Sequence, residues 1–503
     1  MRTLRRLTLP LCVGALLFAA CGADPTANNG PPPPPPAGDS LMVGFATYLG
    51  GSAGDLGRDV ATDAQGNVVV VGGTHSPDFP VGSSGYDATY DGSGNFPSDA
   101  FIIKSSPTGV RLWGTYLGGP DFERAYAVEV DDQGYVYVAG RAGPGFPVTA
   151  GALQTTFAGG DGGPGYGPQD GFLCKFTPDG LTRVFCTYFG SDDYVPIRDV
   201  AVDANHDIYI ISSDSTDHFP STWFTNAYQK TRAGARDVLI AKIKGDGSQV
   251  LWATYLGGSG QEGNTNSIRV DANGVYVSMF TLSADMPTPG GFDHTLGGPS
   301  DAYVAKLSLD GSTLLYGTYV GGSGGETSET HQLWVDAQGY AIVTGPTSSS
   351  DLPVTGTAYQ QQLRGSTDAF ICRISPTGAL AAMTYLGGSG DDGAEGVAVD
   401  SRGHIYLTGG TSSSNFPTNM PGIPGQGEDV YVAEFLPDLS QLVVSLRVGG
   451  SGLDQGRSVT VSPQGTVYVT GQAGSIGLLT SASAIQPNFA GVGDAFLVEL
   501  TPH

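Results

Sequence analysis

The chain has 503 residues, a formal charge of −25 and 78 glycines, with charged residues at only 14%. That acidic balance excludes a nucleic-acid partner, because a phosphate backbone needs a basic footprint. The apolar content of 40%, with 10% aromatics, excludes wholesale disorder, and so many glycines with so few charges suit short strands and tight turns rather than long helices.

In chain order, residues 1–21 read as an export signal. Arg2, Arg5 and Arg6 form a basic start, Leu7 to Phe18 an apolar run too short to span a bilayer, and Ala19-Ala20-Cys21 a lipoprotein-type end. The expectation is a protein lipidated at Cys21 and held at the outer membrane or cell surface through that anchor alone, or secreted if Cys21 is not lipidated. Residues 22–40 are a tether. Pro31 to Pro36 extend as polyproline II and cannot join a sheet.

Residues 41–503 are organised by a repeat. Thr47-Tyr48-Leu49-Gly50-Gly51 returns at Tyr116, Tyr188, Tyr255, Tyr319 and Tyr385, and in altered form at Arg447, at spacings of 62 to 72 residues. Each unit continues with a Gly/Asp loop and an alternating run ending in Asp, such as Val397 to Asp400. A turn, a second run such as Ile405 to Gly409, and a long loop with an apolar-Pro pair follow. A third run opens with Asp at 99, 170, 237, 301, 368, 429 and 494, and a fourth leads into the next Tyr-Leu-Gly-Gly. Period-two alternation with β-branched and aromatic residues predicts four antiparallel strands per unit. The expectation is an all-β, seven-bladed propeller. A lone fourth strand, Met42 to Leu49, precedes the first unit, and the last lacks one. Pairing the two closes the ring and removes two sheet edges.

Gly387-Gly388-Ser389-Gly390-Asp391-Asp392, Val397 to Asp400, Ile405 to Gly410 and Thr411 to Pro417 resemble the beta-propeller repeat of bacterial surface proteins known as the SBBP repeat. The resemblance extends over residues 41–503. It implies a propeller fold and an envelope location, and no defined activity. The seventh copy departs most, with Arg447 for tyrosine, Ser462 for the strand-end Asp and no apolar-Pro pair near Ile476-Gly477. It is expected to be the blade made from both chain ends.

The Gly/Asp loops should cross one face near the central channel, carrying Asp55, Asp121, Asp192, Asp391, Asp392 and Asp454 as candidate ligands for Ca²⁺. Against this stands the bland alternative, favoured here, that they accept backbone N–H bonds in glycine-rich turns. The recurring third-strand Asp is architectural, since an active site has no sevenfold symmetry. Lys104, Lys175, Lys242, Lys306 and Arg373 share one position and read as a solvated rim or blade-to-blade ion pairs. The second-to-third-strand loops, expected on the same face as the Gly/Asp loops, offer Tyr86, Tyr90, Phe157, Tyr166, Trp223 and Tyr228 for carbohydrate or protein contact, or as plugs between blades. Cys174 and Cys186 face each other across a hairpin and can form a disulfide in an exported protein. No histidine pair has zinc-ligand spacing, and no nucleophile elbow or phosphate loop is present.

These readings converge on a monomeric, non-catalytic binding or scaffold propeller whose partner is a glycan or an envelope protein. The alternatives are an envelope carbohydrate-active enzyme using two top-face carboxylates, and a calcium-stabilised adhesin.

Overall fold

The computed structural model describes residues 41–502 apart from 96, 164, 327–330, 423, 424, 426, 476, 478, 479 and 483. The export signal, Cys21 and the proline tether lie outside the described residues, as do Phe96, Glu329 and Ile476.

Seven antiparallel sheets form seven blades. The first comprises Asp55–Thr62, Val68–Thr74, Asp99–Ser105 and Arg111–Leu117, in that order from the channel outward. The others repeat the plan, and the second gains a two-residue strand, Gly160–Asp161, on its third strand. The seventh is built from Asp454–Val461, Val467–Ala473 and Asp494–Pro502, with Leu41–Leu49 as its outer strand. Tyr48 pairs with Phe496 and Thr47 with Leu497 in an antiparallel ladder, so the ring closes as the repeat implies. Innermost strands touch their neighbours around the ring, the seventh touching the first. The described residues contain one short 3₁₀ turn, Ser221–Phe224, and no α-helix.

Both faces of a blade are covered by neighbouring blades. The second and third strands are therefore buried from end to end, as in Val68–Thr74 and Asp99–Ser105. The core lies in the wedges between blades. Phe146 of the second blade's apolar-Pro pair sits in the wedge with the first, and Phe219 of the third blade in the wedge with the second. Outer-strand hairpins lock onto the preceding blade through a glycine. Gly109 has φ +79°, and a Cβ there would run into the Phe45 ring. Both the left-handed backbone and the contact demand glycine.

The long second-to-third-strand loops do not stay on the face that carries the Gly/Asp loops. Each leaves that face and runs back along its own outer strand. In the third blade the Gln229 N–H donates to Thr254 Oγ1 and the Tyr255 N–H to the Gln229 carbonyl. Asp87, Gln154, Asp293, Gln360 and Gln486 make the same pair of bonds to the Thr-Tyr of their blades. An exposed strand edge invites pairing with another chain, and the Thr-Tyr dipeptide recurs because it clamps the loop that covers this edge. Arg447 lies on the outer strand of the sixth blade, Leu442–Val448, and not on the blade formed from the two chain ends. Ser462 does belong to that last blade.

Candidate binding site at the channel mouth

The acids that recur in six of the blades are hydrogen-bonded within the fold, with Val195 at the equivalent position of the third. Asp55 accepts from the Gly51 N–H, Thr74 Oγ1 and Ser76 Oγ. Asp392 accepts from Gly388, Thr411 and Ser413, and Asp454 from Gly450, Gly474 and Ser475. Glu123, Glu262 and Glu326 do the same in their blades. Burial raises Asp55 to about 6 and Glu262 to about 7, against the lowering effect of these bonds. A carboxylate so engaged has little left for a metal ion. Of the remaining candidates, Asp192 is exposed and pairs with His218 at 2.6 Å, Asp391 is exposed, and Asp121 is half-buried beside Gly143.

The Asp that opens each third strand is fully buried. Asp368 accepts from the Arg364 and Gly365 N–H groups and from Gln360 Nε2, which fixes the point where the edge loop re-enters the sheet. The third-strand cations are not a solvated rim. Lys104 is buried and pairs at 2.9 Å with Asp63, the strand-end Asp of its own blade, and Arg373 pairs likewise with Asp336 at 2.8 Å. In the sixth blade that cation is replaced by Glu434, and Arg402 reaches between Asp400 and Glu434 at 2.8 and 3.1 Å. His404 Nδ1 lies 2.6 Å from the same glutamate. The group Asp400, His404 and Glu434 has the spacing to hold a metal ion, but the Arg402 guanidinium already supplies the positive charge there.

The loop aromatics pack inward. Phe157 sits edge-on against Tyr188, Tyr90 against Tyr116, and Trp223 stacks on Phe189. Tyr86 stacks under Arg183, and Tyr228 donates its N–H to the Gly311 carbonyl. These two are the members of the set that remain more than a third exposed. Because the loops follow the outer edges, their rings plug gaps and do not form a shared face. Tyr166 is the exception, since it reaches the channel mouth.

What differs between blades lies on the innermost strands. The ladder between first and second strands shifts register at Arg58, Tyr126, Arg198, Glu395 and Arg457. Each shift is a bulge three residues after the buried acid or its equivalent, Val195. A bulge leaves its residue outside the ladder and re-aims its side chain, so five blades share one re-aimed position, filled by arginine in the first, third and seventh, by tyrosine in the second and by glutamate in the sixth. Glu395 and Arg457 pair at 3.1 Å. On the other side, Arg198, Arg58 and Arg141 lie over the Tyr126 ring at 4.4, 5.4 and 5.6 Å. Arg141 also lies over Tyr166 at 4.0 Å and Phe122 at 4.6 Å, and Arg124 over Phe122 at 4.9 Å. Arg141 and Arg198 both donate to the Tyr194 hydroxyl. Burial raises the Tyr126 phenol, but the field of Arg198, Arg141, Arg124 and Arg58 outweighs it and brings the group down to about 7.

The innermost strands also border a cavity of about 230 Å³ whose lining includes Asp59, Glu129, Arg269, His331, Trp334 and Ser458. Arg269 pairs with Asp199 at 2.8 Å. Burial lifts Glu129 to about 7. His331 Nε2 lies 2.8 Å from the Tyr126 carbonyl and therefore carries a proton, while Nδ1 is 3.5 Å from Asp59 Oδ1. Ser458 Oγ donates to Asp59 and not to His331. Serine and histidine share the aspartate, an order that does not make a nucleophile.

None of the mouth residues except Tyr166 stands out in the sequence, because the arginines and Tyr126 hide inside strands that otherwise repeat. The available signal was the pair of arginines, Arg124 and Arg141, at positions where the other repeats carry no charged residue.

Residues 383–417 match the family SBBP, described as a beta-propeller repeat. Among curated proteins, the Regulatory protein FlaEY of Caulobacter vibrioides is 24% identical over 297 residues, 56% of this chain and 29% of that protein. The chain thus spans less than a third of the length of this relative. Among solved structures, a protein of unknown function from Dyadobacter fermentans aligns with a TM-score of 0.41 and 10% identity, covering 93% of this chain and all of that one. The quinohemoprotein alcohol dehydrogenase of Comamonas testosteroni aligns at 0.40 and 8%, covering 92% and 76%. The chain is a seven-bladed β-propeller that carries the SBBP beta-propeller repeat.

Proposed function

We propose that the protein is a non-catalytic binding propeller that receives a glycan, or the glycosylated part of an envelope protein, at the channel mouth. The observation that carries this reading is the break in sevenfold symmetry. The recurring acids are hydrogen-bonded inside their own blades, whereas Arg124, Tyr126 and Arg141, which have no like residue at the equivalent positions of the other described blades, meet Arg58 and Arg198 at one side of the channel. A site for one ligand must differ from its copies, and a channel mouth lined by unlike residues on rigid strands is such a site.

The reading includes an envelope location through a lipid on Cys21. The Cys174–Cys186 disulfide supports an oxidising compartment.

A glycan array with the full-length protein, followed by pulldown from envelope extract, tests the function. Retention that is lost on Arg141→Met, with an unchanged melting temperature, is the expected result. Retention unaffected by changes at the mouth, or cleavage of the bound glycan, overturns it. Fatty-acid labelling that disappears in Cys21→Ser tests the location.

A further inference from the structure

Arg124 and Arg141 sit directly opposite each other in the ladder between the first two strands of the second blade. Like charges in that position repel, and cross-strand pairing elsewhere in proteins avoids them. The chain has 48 acidic and 23 basic residues, so a partner for each arginine is easily supplied. Arg269, Arg373, Arg402, Arg447 and Arg457 each have a carboxylate within 3.1 Å. Among the described residues no carboxylate pairs with Arg124 or Arg141. Arg141 is almost fully buried, its guanidinium held over Tyr166 and Phe122 and on the Tyr194 hydroxyl. The Nε atoms of both arginines are buried without a hydrogen-bond partner. Keeping two desolvated guanidinium groups side by side is costly unless an anion completes them.

We propose that Arg124 and Arg141 form an oxyanion-binding site for an acidic saccharide, held by its carboxylate or sulfate group. The inference rests on the reading of the protein as a glycan-binding propeller and specifies the ligand's charge. Guanidinium forks match planar oxyanions with two parallel bonds, and a stacked fork is already oriented. The remaining groups at the site are the phenols of Tyr126, Tyr166 and Tyr194, which donate and accept with sugar hydroxyls. The Phe122 ring is covered by both guanidinium groups and the Tyr166 ring by that of Arg141, so these rings offer no slot for an apolar side chain. That combination favours a hydroxylated anion over a peptide.

The test is calorimetric titration of the full-length protein with a galacturonate trisaccharide, the matched neutral galactose trisaccharide, its sulfated form and a glutamate tripeptide. The expected result is that the uronate or the sulfated sugar binds at least tenfold tighter than the neutral one, the better of the two identifying the substituent. Arg141→Lys keeps the charge but loses the fork, and should weaken the acidic sugar about 10- to 100-fold, narrowing its advantage over the neutral sugar. If that variant fails to fold, Arg124→Gln gives the same readout. Equal affinity for acidic and neutral sugars, or an acidic affinity indifferent to both substitutions, overturns the inference and leaves the glycan-binding reading standing. Tighter binding of the tripeptide than of either acidic sugar overturns the choice of a saccharide. Failure of every saccharide to bind removes both readings.

Discussion

Arg447 on the sixth blade donates to Asp429 Oδ2 and to the Ser413 carbonyl, both at 2.6 Å. The equivalent carbonyls of Ser76, Ser283 and Ser349 receive the hydroxyls of Tyr116, Tyr319 and Tyr385 at 3.0, 2.7 and 2.8 Å. The altered copy of the repeat has therefore exchanged one donor for another and gained an ion pair. In the other blades the tyrosine is more than packing, because its hydroxyl ties the outer strand to the turn after the second. Arg447→Ala strands the buried Asp429 and should cost about 3–5 kcal/mol in denaturant-induced unfolding. Arg447→Tyr restores the shared bond but not the pair, and should cost less.

The buried acids give the fold an unusual pH response. Burial raises Asp55, Asp301 and Asp368 to about 6, and Asp99, Asp170 and Glu262 to about 7. A carboxyl whose folded value lies above its unfolded one, near 4, favours folding in its protonated form. Its contribution is fully present below pH 4 and is lost as pH rises through 6 to 7. Opposing groups such as Asp63 and Asp203, held low by hydrogen bonds and a neighbouring lysine against the effect of burial, lose their contribution as pH falls below 4. The melting temperature should thus be higher at pH 5.5 than at pH 8 and fall again in stronger acid. A melting temperature flat from pH 5 to 8 contradicts the assignment.

Asp55, Asp392 and Asp454 have their oxygens taken up by donors of their own blades. Removing calcium with a chelator should leave the melting temperature unchanged. Asp392→Ala should cost about 1–3 kcal/mol, because it leaves buried donors without an acceptor. Calorimetry before and after chelation measures both.

Cys174 and Cys186 are disulfide-bonded in register across the second blade's outer hairpin, with Cα atoms 4.1 Å apart. The link closes a loop with a sequence separation of 12, so reduction should cost about 2–3 kcal/mol. Thiol titration of denatured protein should find Cys372 as the single reactive thiol between residues 41 and 503. Three thiols there contradict the bond. In the native state Cys372 should not react, since burial pushes its thiol well above the ordinary value.

Tyr126 should ionise near neutrality. The expected signal is tyrosinate absorbance that appears between pH 6 and 8 and vanishes in Tyr126→Phe. An oxyanion at Arg124 and Arg141 weakens the field that lowers the phenol, so ligand should shift this titration to higher pH. By linkage its affinity should fall as pH rises above 7. The charged and titratable groups around the phenol are Arg58, Arg124, Arg141, Arg198, Tyr194 and His331. An affinity independent of pH from 6 to 8 counts against the coupling.

The sequence by itself determined the architecture. Seven recurrences of Asp before a small or apolar residue, with alternating strands between them, leave one way to bury two faces of every sheet, and the unmatched strand at Met42 to Leu49 has one place to pair. It also showed that recurring acids are architectural, because a feature needed seven times serves the blade. Tertiary structure alone decided the rest. The path of the long loops depends on hydrogen bonds between Gln229 or Gln360 and a threonine some 25 residues away, and this turned surface aromatics into plugs. The cations on the third strands were drawn into their blades by Asp63 and Asp336. The mouth of the channel was invisible because Arg58, Tyr126 and Arg198 lie in strands about 70 residues apart, and a bulge in each ladder, which no local pattern announces, points them to the same side.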